Sequence, residues 1–174
     1  VNVECQGDTL IVPTPALWWP RSHGDQPLYD LTWTHSGNEH TLMHRLGIRT
    51  ATWQQAPDSL GTSMELLVND QRIFCRGANV VPPDFLEAYS SEGWDELTNN
   101  AVDANMNMLR VWGGGVYPPD SFFEGCDQKG LLVWQDFMFA CTMVPTDEDF
   151  ARNVRLEAKE QVLRLRHHPS LVLW

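Results

Sequence analysis

The sequence predicts an α/β chain in which strands of an antiparallel β-sandwich are followed by the repeating strand and helix units of a parallel sheet. Two observations carry this. Residues 1 to about 55 are rich in Thr, Trp, His and Pro and alternate in short segments. From Met64 onward the chain changes to short apolar runs, each followed by an amphipathic stretch of helical period, the pattern of βα units.

In the first region, Thr9 to Val12, Tyr29 to Thr34 and Thr41 to Ile48 read as strands, with turns at Ser22 to Gln26 and Ser36 to Asn38. The linker is expected near Trp53 to Thr62, which divides the chain into 1–58, the end of a β-sandwich, and 59–174. Strands of the parallel sheet are expected at Ile73 to Arg76, Met108 to Val111, Leu131 to Gln135 and Leu171 to Trp174. Each is apolar with little alternation, as strands covered on both faces are.

Trp94, Leu97, Ala101 and Ala104 recur at helical spacing and mark the first crossover helix. Pro118 and Pro119 open a second helix through Phe122, Phe123 and Cys126, closed by Gly130. A third is expected with Thr146 as N-cap and Phe150, Val154, Ala158, Val162 and Leu165 on its buried face, ending before Pro169. This rhythm is that of a TIM (β/α)8 barrel, which takes roughly 250 residues, so there is room for the first half of one. The chain starts at Val1 without an initiator Met and stops at Trp174 within an apolar run. Both ends are expected to be cut, leaving the outer edges of the first and fourth barrel strands unpaired.

Composition narrows the function. A net charge of −11 argues against a nucleic-acid surface, which needs clustered Lys and Arg. No apolar run approaches the roughly 20 residues of a membrane span. Eight Trp favour a neutral carbohydrate, because an indole face can stack on the C–H face of a pyranose, although most are expected in the core. Cys5, Cys75, Cys126 and Cys141 lack zinc or disulfide-framework spacing and are expected as buried thiols. No ligand cluster supports a metal, no cofactor is implied, and His167 and His168 sit before Pro169 at a helix end, where His is electrostatically comfortable.

In a barrel, reactive groups lie just past the C-terminal ends of the strands. After the first apolar run come Gly77, Ala78, Asn79 and then Pro82, Pro83 and Asp84. After the second come Arg110, Trp112 and Gly113 to Gly115; after the third, Gln135 and Asp136. Three glycines can adopt positive φ and admit a ligand closely, with Trp112 as a floor for a sugar ring. The run lacks the Gly-Lys-Ser/Thr ending of a phosphate loop, and a Gly-rich turn beside a core Trp is the plainer alternative. Asp136 is equally readable as an acceptor of two sugar hydroxyls or as a structural partner of Arg110. Asp84 is a rim residue or a turn residue. Glu124, Asp127, Glu157 and Glu160 fall on expected helices and read as solvated.

These residues carry a resemblance. Arg110-Val-Trp-Gly-Gly-Gly115, Cys126-Asp, Leu132-Val-Trp-Gln-Asp-Phe-Met-Phe-Ala-Cys141 and His168-Pro-Ser-Leu-Val-Leu-Trp174 resemble the β-mannosidases of the large glycosidase family that also holds β-galactosidases and β-glucuronidases. Gly77-Ala-Asn79 and Asp103-Ala-Asn-Met-Asn107 fit as well, while Leu28-Tyr29 and Gly47-Ile48-Arg49 resemble the end of the family's immunoglobulin-like domain. The Trp-Gly-Gly-Gly string separates the chain from the galactosidase and glucuronidase branches. Val144-Pro145 departs from the Tyr-Pro of many relatives and bears on fine specificity.

The resemblance implies retaining exo-hydrolysis of terminal β-mannosides. The acid/base Glu is expected just after Trp174 and the nucleophilic Glu on a later strand, so neither catalytic carboxylate lies in this chain. It also implies a glycan or oligosaccharide substrate, remaining domains of a parent chain, and a periplasmic, extracellular or lysosomal setting rather than a cytoplasmic one. By the same analogy Trp112 and Asp136 belong to the terminal-sugar subsite, Arg110 supports the nucleophile's charge, and Asn79 and Asp84 lie at the rim. The alternatives are another exo-β-glycosidase, acting on a glucosaminide or galactoside, and a non-catalytic carbohydrate-binding module.

Overall fold

The computed structural model describes residues 4–6, 9–34 and 41–174; the expected turn at Ser36 to Asn38 lies outside them. Two antiparallel pairs come first, β1 (Glu4–Gln6) with β2 (Thr9–Ile11), and β3 (Tyr29–Thr34) with β4 (Thr41–Leu46). A three-stranded antiparallel sheet follows, made of β5 (Ala51–Gln54), β6 (Glu65–Val68) and β7 (Gln71–Ile73). The expected division between 58 and 59 falls between β5 and β6, which pair with each other.

The remainder alternates strand and helix: β8 (Gly77–Val80), α1 (Ser91–Asp103), β9 (Met108–Val111), α2 (Asp120–Lys129), β10 (Leu132–Gln135), α3 (Glu148–Leu165) and β11 (Leu171–Leu173). The four strands form one parallel sheet in the order β11-β10-β9-β8, the arrangement of part of a barrel.

The first barrel strand is displaced from its expected place at Ile73 to Arg76. Asn69 and Asp70 both have positive φ, 49° and 63°, as a two-residue hairpin turn requires. Gln71 to Ile73 therefore returns antiparallel along β6, and the parallel sheet begins only at Gly77. Asn107 bridges the change of direction. Its side chain accepts from the Arg76 N–H at 2.7 Å and donates to the Phe74 carbonyl at 3.0 Å. Gly77 follows where the chain runs so close to β9 that a Cβ would lie 1.7 Å from the Met108 carbonyl oxygen.

The parallel sheet is covered on both faces, which explains its unbroken apolar strands. Val80, Leu109, Val111, Leu131, Val133 and Leu171 pack toward the helices with Trp94, Ala101, Phe122, Phe123, Cys126 and Leu165. The opposite face, represented by Met108 and Leu132, packs against Trp18, Leu66, Val68 and Ile73. The three-stranded sheet thus seals one face of the parallel sheet at the N-terminal ends of its strands.

Helix ends follow local chemistry. In α1 Trp94, Thr98 and Ala101 are buried, and Asn105 with φ 55° turns the chain out of the helix. Gly130, in the left-handed region with φ 69°, stops α2. The N-cap of α3 is Asp147 rather than Thr146, its Oδ1 accepting the Phe150 N–H at 2.8 Å. Only Leu165 of α3 is fully buried; the other expected face residues are half-buried.

The thiols differ from expectation in part: Cys126 is buried, Cys75 half-buried and Cys141 exposed. Asp127 and Glu157 are corrected too. Asp127 is 2% exposed and holds His168, and Glu157 accepts the Tyr117 hydroxyl at 2.9 Å. Among the described residues, no helix is long and apolar enough to cross a membrane.

Candidate functional site

Register brings three of the sequence-predicted residues together. Asn79 of β8 pairs with Arg110 of β9, which pairs with Trp134 of β10, and Asp136 follows one residue past the end of β10. Arg110 donates from Nε to Asp136 Oδ1 at 3.1 Å and from Nη2 to Oδ2 at 2.7 Å, a two-pronged charge-assisted contact. Its Nη1 donates to Asn79 Oδ1 at 3.3 Å. The guanidinium carbon lies 4.8 Å from the centroid of the Trp134 ring, within cation–π range. A hollow of about 310 Å³ opens here, lined by Cys75, Gly77, Ala78, Asn79, Met108, Arg110 and Trp134.

The glycine run serves this layer by closeness and not by unusual torsion, because none of its three residues has positive φ. A Cβ on Gly113 would meet the Phe137 carbonyl oxygen at 2.4 Å; on Gly114, the Trp112 ring at 2.0 Å; on Gly115, Pro82 at 2.8 Å. The β9 loop is therefore pressed against the loops after β8 and β10, with the half-buried Trp112 indole folded over Gly114. The Gly113 N–H also donates to Asp136 Oδ2 at 3.2 Å.

Hydrogen-bond capacity now narrows what Asp136 can do. An ionised carboxylate has roughly four acceptor positions, and Arg110 and Gly113 fill three of them. The structural pairing with Arg110 is present, which leaves about one acceptor position on Asp136 rather than two. Arg110 uses three of its five N–H groups in these contacts.

Asp84 is not brought to this constellation. It lies in an exposed turn, its Oδ1 accepting the N–H of Leu86 at 2.6 Å and of Glu87 at 3.0 Å. The Glu87 and Leu86 amides hold its carboxyl below the usual carboxylate range. It lines a different hollow with Pro83, Glu87 and Glu96.

Trp134 was absent from the residues singled out by sequence, although its place two residues past Leu132 puts it on the same sheet face. Phe137 follows Asp136, just past the end of β10. It stacks on Trp174 at 5.4 Å and 16°, joining the ends of β10 and β11. A larger hollow of about 670 Å³, lined by His44, Asp120, Glu124, Arg164 and His167 among others, lies by the N-terminal end of β11, at the opposite end of the sheet from Asp136. Among the described residues, no group of three or more His, Cys, Asp or Glu is placed to hold a metal ion.

No protein-family model matches the chain. Individual relatives do. The chain is 44% identical over 163 residues to a β-mannosidase of Capra hircus, covering 90% of this chain and 18% of that protein. It is 41% identical over 172 residues to β-mannosidase B of Thermothelomyces thermophilus, covering 95% and 20%. The crystal structure of a β-D-mannosidase from Dictyoglomus thermophilum superposes with a TM-score of 0.86 at 44% identity, covering 92% of this chain and 20% of that one. The chain thus spans about a fifth of the length of these relatives. By sequence and by fold together, the chain is similar to about one fifth of these β-mannosidases.

Proposed function

We propose that this chain is the segment of a retaining exo-β-mannosidase that supplies half of the floor for a terminal β-mannose, within the first half of a (β/α)8 barrel. In this reading residues 1–58 are the end of an immunoglobulin-like sandwich and 59–174 begin the barrel. The observation that carries the proposal is the layer of Asn79, Arg110 and Asp136 at the C-terminal side of three adjacent strands, with Trp112 in the next loop folded over Gly114. Asp136 takes a sugar hydroxyl, Trp112 stacks on the ring, and Asn79 holds Arg110 so that its free N–H groups support the nucleophile's charge.

Retaining hydrolysis requires two carboxyl groups roughly 5 Å apart. The layer itself holds one, Asp136, and that one is committed to Arg110. On this reading, as the resemblance implies, both catalytic Glu lie beyond Trp174 and the chain alone is inactive. Asp84 is retained only as an outer rim contact. Turnover of glycans fits a periplasmic, extracellular or lysosomal setting.

The test is hydrolysis of a panel of aryl β-glycosides by the full-length protein, with this chain assayed beside it. Mannoside-selective turnover by the full-length protein alone supports the proposal. Selectivity for a glucosaminide or galactoside would reassign the sugar, and activity in the chain itself would show the carboxylates to be misplaced. Trp112→Ala in the full-length protein is expected to lower kcat/KM about tenfold to a hundredfold, the equivalent of roughly 1.5–3 kcal/mol of buried contact. Circular dichroism should stay unchanged; a near-normal kcat/KM would remove Trp112 from the subsite.

A further inference from the structure

Residues 47–53 grip β11 from outside the parallel sheet. Gly47 lies against Pro169, so closely that a Cβ there would fall 2.5 Å from the proline Cγ. Arg49 donates from Nε to the Pro169 carbonyl at 2.9 Å and from Nη2 to the Leu171 carbonyl at 2.6 Å. Trp53 donates from Nε1 to the Val172 carbonyl at 3.0 Å. The Ile48 carbonyl, between Gly47 and Arg49, accepts the Trp18 N–H at 2.8 Å, and Trp18 Nε1 in turn donates to the Asp127 carbonyl at 2.8 Å.

The direction of these contacts matters. The Ser170 carbonyl receives the Val133 N–H of β10, so the next carbonyl, that of Leu171, points away from β10, because successive residues of a strand present their polar groups to opposite edges. Arg49 therefore holds the edge of β11 that β10 does not. A guanidinium spanning two carbonyls two residues apart fixes how far the strand slides along its own axis, and the Trp53 contact adds a third point. At the far end of β11, Trp174 rests on Phe137, the residue after Asp136.

We propose that Gly47, Arg49 and Trp53 are positioning residues that set the depth of β11 and so place the group that follows Trp174. This rests on the reading that the acid/base Glu follows Trp174. A general acid must sit within hydrogen-bond reach of the leaving oxygen, and misplacement by about 1 Å costs on the order of a hundredfold. Side chains that precede the parallel sheet in sequence thereby govern protonation at its C-terminal face.

The test uses Arg49→Met, Arg49→Lys and Trp53→Phe in the full-length protein. Two aryl β-mannosides are compared, one with a dinitrophenolate leaving group that needs little proton assistance and one with phenolate, which needs it. For Arg49→Met, kcat/KM on the phenyl mannoside should fall about tenfold or more, while the dinitrophenyl value changes less than about twofold. Arg49→Lys, able to hold one carbonyl, should fall between. Amide hydrogen exchange at Leu171 to Leu173 should accelerate in step.

Equal losses on both substrates, or unchanged exchange, would overturn the proposal while leaving the mannosidase reading intact. A wild-type protein that turns over neither mannoside overturns that reading and the catalytic part of the proposal with it; exchange still decides whether Arg49 holds β11. Should Arg49→Met fail to fold, Trp53→Phe carries the same comparison, since it keeps an aromatic side chain at the position and removes the Nε1 donor.

Discussion

Asp136→Ala in the full-length protein is expected to lower kcat/KM on aryl β-mannosides by about a hundredfold to a thousandfold, with only a small loss of stability. Two effects combine. In the proposed subsite the substitution removes a charged acceptor for a sugar hydroxyl, a contact of roughly 1.5–3 kcal/mol. It also frees Arg110, which loses both of its carboxylate contacts and keeps only the longer one to Asn79. A guanidinium that can swing over Trp134 no longer presents its remaining N–H groups in a fixed direction.

The structural cost stays near 1 kcal/mol because Arg110 and Asp136 are 34% and 15% exposed, and water can replace a partner at a site open to that degree. Asp136→Asn separates the two effects. It preserves the shape and one acceptor for Arg110, so if charge on the hydroxyl contact matters, Asn should recover less than half of the loss in free energy. Stopped assays on a mannoside, with thermal unfolding on the same samples, measure both quantities. An alanine variant within about threefold of wild type would confine Asp136 to a structural role.

Much of this layer was legible in the sequence because barrel geometry converts position along an apolar run into position in space. The pairing of Arg110 with Asp136 is one of the two sequence readings of Asp136, and Asn79 is expected only at the rim. Two features differ from the sequence reading. Gly77 to Asn79 are strand residues and not a loop, since the Asn69-Asp70 turn consumed Ile73 as the return strand of a hairpin. That signal was present in the sequence and was outweighed by the apolar run around Ile73. Asp84 was placed by its distance from that misassigned strand, and its side chain instead closes its own turn.

The glycines at 113 to 115 were expected to serve through positive φ, and the structure instead shows close approach without it. Their neighbours Phe137, Trp112 and Pro82 come from three separate stretches of chain or fold back locally, and close approach of this kind is invisible before the loops are assembled. The same holds for the grip of Arg49 on Pro169 and Leu171, separated by 120 and 122 residues. The string Gly47-Ile48-Arg49 was noticed as a resemblance, yet nothing local says what it touches.

Asp127→Ala is expected to destabilise the protein by roughly 3–5 kcal/mol, the range for removing one partner of a buried charged contact. The carboxylate sits at the C-terminal half of α2, where it was read as solvated by residue type. Periodicity says otherwise: Asp127 is four residues after Phe123, and so shares the buried face of the helix. Its Oδ2 meets His168 Nδ1 at 2.6 Å and its Oδ1 accepts the Ser170 N–H at 3.0 Å. With Asp127, His168 and Ser170 at 2%, 4% and 0% exposure, water cannot take its place. The alanine variant therefore orphans two donors at once, immediately before β11. Asp127→Asn keeps one acceptor and should cost less than half as much. Chemical unfolding of the two variants, with hydrogen exchange at Ser170 and Leu171 as the local readout, checks the ranking. A loss below about 1 kcal/mol for alanine would mean that the Arg49 and Trp53 contacts hold β11 without help from α2, and that the buried carboxylate is dispensable to the sheet.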